Sequence, residues 1–249
     1  MRREQRVVAD LPDALRLATL TDAYAVQERL VAMLGLGEPI GYKCASTSLA
    51  GQRALGLDAP LFGRLLSGST HESRLGDVPA LDAAAFVHRV IEAEFGFRMA
   101  DDVEPVDGGH TAETIAGFVG AVIPSIEIVD HRFESWALGA PQIVADNAIH
   151  GGWIHGEPLT DWRHLDLATA PTAVERNGEI VASGSGANVL GHPLTVLAWL
   201  ADELPRRGLG LRAGDLVTTG ITTEIVTAGP GDLIEAHFDG VGSVAVRFR

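Results

Sequence analysis

Residues 87–97 read Val87-His88-Arg89-Val90-Ile91-Glu92-Ala93-Glu94-Phe95-Gly96-Phe97. The alternation, with Phe95 and Phe97 favouring a pleated backbone, predicts a strand. Residues two apart on a strand share a face. Glu92 and Glu94 therefore project together, flanked by Val90 and Gly96, while Ile91, Ala93, Phe95 and Phe97 take the opposite face. Two such carboxylates repel, and burying them costs each several kcal/mol unless something compensates. Two readings stay open on these residues alone. The pair could be the solvent face of an edge strand, matched by Arg89 or Arg98. It could instead hold a divalent cation, and an all-oxygen donor set favours magnesium, manganese or calcium over zinc.

A third acid stands in a similar setting. Ser125-Ile126-Glu127-Ile128-Val129 closes a second strand expected over 121–129. If the two strands are neighbours, three carboxylates can converge on one ion. Elsewhere, Thr21 is read as the N-cap of a first helix with Val26, Leu30, Met33 and Leu34 as its apolar stripe and Gly35 as its stop. A short helix is expected over 49–57, closed by Gly56. Thr111 caps a helix to about Val119, and after the second strand a mixed loop runs to Gly152. Asn177-Gly178 turns a hairpin over 172–182. His192-Pro193 opens a helix with the stripe Leu194, Leu197, Leu200 and Leu204, ended by Gly208. Strands at 215–219, 224–227, 233–238 and 243–248 make the C-terminal 40 residues all-β. This order argues for an α+β fold with a β-rich core, not a doubly wound sheet. The organisation expected is an N-terminal helical region over 1–70 and a β-rich region over 71–249, integrated as one domain.

Composition narrows the function classes. The chain has 249 residues, 46% hydrophobic and 21% charged, the make-up of a folded globular protein. A net charge of −14 repels phosphate backbones, so no nucleic-acid partner is expected. No apolar run is long enough for a membrane span, and the opening MRREQRVVADLPD lacks the apolar stretch of a secretory leader. The one cysteine, Cys44, can make no internal disulfide, which suits a reducing cytoplasm. Of 19 basic residues only Lys43 is a lysine. Codon bias explains the ratio. The exception points to a place where an amine must exchange a proton, because guanidinium stays charged.

Other candidates carry less. His88, His110, His131, His150 and His155 form no metal-ligand spacing and read individually as surface or structural residues, although a Gly-Gly turn leaves His150 and His155 near a pocket as an option. Asp146-Asn147 reads first as a turn pair. Gly184-Ser185-Gly186-Ala187 lacks the lysine of a phosphate loop and reads as a turn.

Taken together, these motifs resemble the 2-keto-4-pentenoate hydratase and 4-oxalocrotonate decarboxylase group of the fumarylacetoacetate hydrolase superfamily. The resemblance rests on Ile40-Gly41-Tyr42-Lys43 with Thr47-Ser48, on Ile91-Glu92-Ala93-Glu94, and on Pro124-Ser125-Ile126-Glu127-Ile128-Val129. Val144-Ala145-Asp146-Asn147-Ala148, Leu190-Gly191-His192-Pro193-Leu194, Gly214 to Gly220, and Glu235-Ala236 with Gly242-Ser243-Val244 also match, so it runs from about residue 22 to the C-terminus. It implies a fumarylacetoacetate-hydrolase-like β-roll with peripheral helices, assembled as a homo-oligomer. It implies Mg²⁺ or Mn²⁺ on Glu92, Glu94 and Glu127, Lys43 as the acid/base group, and Asp146, Thr219 and Gly220 at the substrate, a small 2-oxo acid. The implied activity is a hydratase in aromatic-compound degradation, with a metal-dependent C–C hydrolase or a 2-oxo acid decarboxylase as the alternative. The chain departs from the group at Leu61, where PDFG becomes PLFG, at Ile149, where DNAS becomes DNAI, and at Cys44-Ala45-Ser46 in the lysine loop. The metal side is thus kept, while the side that would position water or a leaving group is altered.

Overall fold

Alternating apolar residues over 90–129 produce the two longest strands, and the main sheet grows outward from them. The structure is a computed structural model that describes residues 6–249; residues 1–5, the start of the stretch read for a leader, lie outside the described residues. The strands are β1 (Pro39–Ala45), β2 (Leu61–Leu66), β3 (Thr70–Glu72), β4 (Ala80–Leu81), β5 (Val90–Met99), β6 (Val119–Val129), β7 (His150–His155), β8 (Pro171–Arg176), β9 (Glu179–Ser185), β10 (Leu216–Ile221), β11 (Val226–Thr227), β12 (Leu233–Phe238) and β13 (Gly242–Phe248). The helices are α1 (Leu20–Leu34), α2 (Leu49–Leu55), α3 (Ala112–Ile115), α4 (Ala140–Ala145) and α5 (Pro193–Glu203).

One sheet has the order β2-β1-β10-β5-β6-β7-β3, with β11 also on β5. The second has the order β4-β13-β12-β8-β9. β1 pairs in parallel with β10, Lys43 lying beside Thr218, so the segment before residue 70 belongs to the same sheet as the C-terminal half. β5 and β6 pair antiparallel with Glu92 opposite Glu127 and Glu94 opposite Ser125. The outward face of β5, carrying Ile91, Ala93, Phe95 and Phe97, is buried in the main core, where Phe95 meets Phe238 of the second sheet edge-on at 5.0 Å. The inward face carries the glutamates, above a small apolar floor of Leu65, Ile123 and Trp153. The main sheet curls into a half-barrel, bringing β2 back toward the turn before β7.

Several local expectations hold. Asn177 and Gly178 turn the β8–β9 hairpin at φ 56° and 86°. The His192 ring accepts the Leu194 N–H at the start of α5, and Leu194, Leu197, Leu200 and Leu204 are buried. Others need correction. The cap of α1 is Thr19, whose hydroxyl accepts from Asp22 N, not Thr21. Its buried face is Ala23, Tyr24, Gln27 and Val31, whereas Val26 and Met33 are exposed. Tyr24 stacks on Phe62 at 4.5 Å, and Gln27 donates to the Phe62 and Val144 carbonyls, so a buried amide occupies a place that hydrophobic periodicity gave to others. The helix begun at Thr111 gives way at Val119, the first residue of β6. The loop expected to reach Gly152 contains α4 and the first half of β7. β7 opens His-Gly-Gly, with neither β-branching nor alternation to reveal it.

Candidate metal centre

Strand pairing assembles the site. Glu92 and Glu94 point inward from β5, Glu127 points inward from β6, and one carboxylate oxygen of each lies within 4.8 Å of those of the other two. β5 is central, held between β10 and β6, so the edge-strand reading fails. Arg89 does not serve as counter-ion, since its guanidinium donates to the Ala228, Ala83 and Phe86 carbonyls. Glu94 and Glu127 are fully buried, and Glu92 is half-buried.

Each buried acid is oriented by its neighbours. Glu94 Oε2 accepts the Gly220 N–H at 2.7 Å and the Thr218 hydroxyl. Glu127 Oε1 lies 3.1 Å from Lys43 Nζ and 2.8 Å from His150 Nδ1. Glu94 Oε1 and Glu127 Oε2 are buried without a hydrogen-bond partner among the described residues. Orphaned carboxylate oxygens are costly. Two of them, in a set of three convergent acids, fit a hard divalent cation.

Electrostatics agree with this geometry. Burial pushes the Glu94 carboxyl well above its ordinary range, and repulsion from Glu127 and Glu92 adds to it. Glu92 is raised by burial and then by Glu127. Burial would also raise Glu127, but Lys43 and His150 override it and hold that carboxyl below its usual value. Burial would lower the Lys43 amine, yet Glu127, Glu92 and Glu94 together keep it above its usual value. Lys43 is thus a buried ammonium, 1% exposed, paired with an ionised Glu127.

The structure places the remaining sequence candidates unevenly. Gly220 joins the cluster through its backbone N–H. Thr219 does not: its hydroxyl donates to Phe95 O at 2.9 Å, and Thr218, one residue earlier, is the threonine that meets Glu94. Strand parity held the signal, because Thr218 pairs with both Lys43 and Gly96. Asp146 closes α4 and leads into the turn before β7. His150, read as surface or structural, is buried against Glu127. Leu61 is buried in the main core, and Ile149 is half-buried against it.

A half-barrel with three inward acids over a lysine defines a protein of the fumarylacetoacetate hydrolase class. The chain belongs to the fumarylacetoacetate hydrolase C-terminal family, which it matches over residues 38–249. It is 35% identical over 244 residues to the 2-keto-4-pentenoate hydratase of Paraburkholderia xenovorans LB400, covering 97% of this chain and 88% of that one. It is 35% identical over 247 residues to a 4-oxalocrotonate decarboxylase of Pseudomonas putida, covering 98% and 89%. The solved structure of the 4-oxalocrotonate decarboxylase from Pseudomonas putida G7, complexed with magnesium and adipate, superposes with a TM-score of 0.90 at 31% identity, covering 100% of this chain and 93% of that one.

Proposed function

We propose that this chain is a divalent-metal-dependent hydratase acting on a small 2-hydroxy-2,4-dienoic acid in the degradation of aromatic compounds. The observation that carries the reading is the pair of buried carboxylate oxygens of Glu94 and Glu127, without a hydrogen-bond partner among the described residues, beside the only lysine of the sequence. Three carboxylates against one ammonium leave two negative charges, which one divalent ion cancels. Glu92, Glu94 and Glu127 would hold that ion, Mg²⁺ or Mn²⁺. Bound there, the ion would supply Lewis-acid charge to the substrate. Lys43 Nζ, kept protonated by its acidic neighbours, would deliver a proton to carbon while the 2-hydroxyl gives up its own proton to solvent, so that the dienol becomes a 2-oxo acid; water then adds at the remaining double bond. Thr218 and Gly220 keep Glu94 in place, and Leu65, Ile123 and Trp153 keep water from the floor. Asp146 and the segment 218–220 flank the substrate in this reading. The protein would work as a homo-oligomer in the cytoplasm.

The direct test is to mix the protein with Mg²⁺ or Mn²⁺ and 2-hydroxypenta-2,4-dienoate or a substituted analogue. Loss of diene absorbance with the mass gain of one water is the expected result; no turnover of any such dienoate overturns the hydratase reading. A second reading is decarboxylation of a related 2-oxo acid, favoured by the equal identity to the decarboxylase and the 0.90 superposition. Release of CO₂ from 4-oxalocrotonate, with no water added to dienoates, would select it.

A further inference from the structure

The acid at the centre of the cluster is held by a residue that none of the site motifs contains. His150 is 2% exposed, and its Nδ1 lies 2.8 Å from Glu127 Oε1, the same oxygen that Lys43 approaches at 3.1 Å. An ionised carboxylate only accepts, so Nδ1 carries the proton and donates it in that bond. Two donors on Oε1 fix the carboxylate's rotation and leave Oε2 buried and without a hydrogen-bond partner among the described residues.

The chain reaches this arrangement by an unusual route. Asn147, Ala148 and Ile149 take φ of 55°, 50° and 55° in succession. Left-handed backbone is unfavourable for side-chain-bearing residues, and most of all for a β-branched one. The surroundings hold the turn in place. Asn147 Oδ1 accepts Arg64 N at 2.7 Å and its Nδ2 donates to Arg64 O at 2.9 Å, while Asp130 N donates to Ile149 O at 2.8 Å. On β2, Gly63 permits the close approach, since a Cβ there would stand 2.6 Å from the Asn147 carbonyl oxygen. The turn therefore ties the β1–β2 edge, which carries Lys43, to the first residue of β7, which is His150. Strain held at one point beside a cluster of convergent acids is a mark of a functional constraint.

We infer that His150 is a positioning residue for the metal centre: delivered by the clamped left-handed turn 147–149, it locks Glu127 so that Oε2 is presented to the ion. The inference rests on the metal-site reading of the proposed function. A donor that fixes a metal-binding side chain typically changes metal affinity by about 10–100-fold when removed.

The test is Mn²⁺ binding to the full chain, followed by the electron paramagnetic resonance signal of free Mn²⁺, with thermal melts as a check of folding. His150→Phe keeps the ring volume and loses both nitrogens; His150→Ala also lacks the donor, with the smallest side chain. His150→Asn restores a donor near the Nδ1 position. Weakening of Mn²⁺ binding by about 10–100-fold in the two donor-less variants, with most of the affinity recovered in His150→Asn, is expected. Unchanged binding in the donor-less variants, or equal loss in His150→Asn, overturns the role of His150 while the metal centre stands. If the unaltered protein binds no Mn²⁺, the metal reading fails first and takes this inference with it.

Discussion

Glu127 faces Glu92 across a strand pair, and its two oxygens differ: one meets an ammonium and an imidazole, and the other has no hydrogen-bond partner among the described residues. Lys43 supplies that ammonium and, in the proposed reaction, the mobile proton. Lys43→Met and Lys43→Arg are each expected to lower kcat by about 10²- to 10⁴-fold, the second because guanidinium does not release its proton. Steady-state turnover of the dienoate with Mn²⁺ present is the measurement, and activity within a few-fold of the unaltered protein counts against the assignment. His131 is lowered from 6.5 to about 4, by burial first and then by the His88 ring 3.9 Å away. A depressed value means the unfolded chain takes up the proton first. Its stabilising contribution is therefore complete above about pH 6.5 and is lost as pH falls toward 4. His131→Phe should flatten the change in urea midpoint between about pH 7 and pH 5; an unchanged slope would show that other groups set it.

β10 shows how one element serves both fold and site. After Thr218 its register with β5 shifts, and the shift aims the Gly220 N–H at Glu94. Gly220 sits at φ 113°, and a Cβ there would stand 1.7 Å from Thr47 Oγ1. Gly220→Ala is expected to destabilise the protein by roughly 1–3 kcal/mol, read as a lower urea midpoint. Thr218→Val removes only a hydroxyl from Glu94, so Mn²⁺ affinity should fall by about 10-fold with little change in that midpoint. Legibility differs sharply between elements. β5, β6 and the β8–β9 hairpin could be read because alternation and an Asn-Gly turn act locally. β7 could not, because its glycines are there to fit against neighbours: a Cβ on Gly151 would stand 2.7 Å from the Asp130 Cβ. α1 misled for the same reason, since Gln27 is buried to bond carbonyls of β2 and α4.

Across the whole molecule, the cluster sets strain between acids against the burial that surrounds them. Glu92 and Glu94 titrate above their ordinary 4.5, by burial first and repulsion from Glu127 next. A raised folded value contributes stability below that ordinary value, and the contribution disappears as pH rises through the raised one. The metal-free protein therefore loses stability from these two groups as pH rises above 4.5. An ion competes with those protons, so a fixed Mn²⁺ concentration should raise Tm more at about pH 8 than at about pH 6, and a chelator should reverse the gain. An equal rise at both pH values would count against the cluster as the binding site. By itself the sequence determined the two acid-bearing strands, the shared face of Glu92 and Glu94, and the singular status of Lys43, because side-chain alternation and residue chemistry are local properties. Only the tertiary structure decided that Glu127 stands opposite Glu92, that Thr218 and not Thr219 meets Glu94, and that His150 reaches Glu127. Those contacts depend on register, on a shifted strand and on a clamped left-handed turn, which are fixed by packing between segments far apart in the chain.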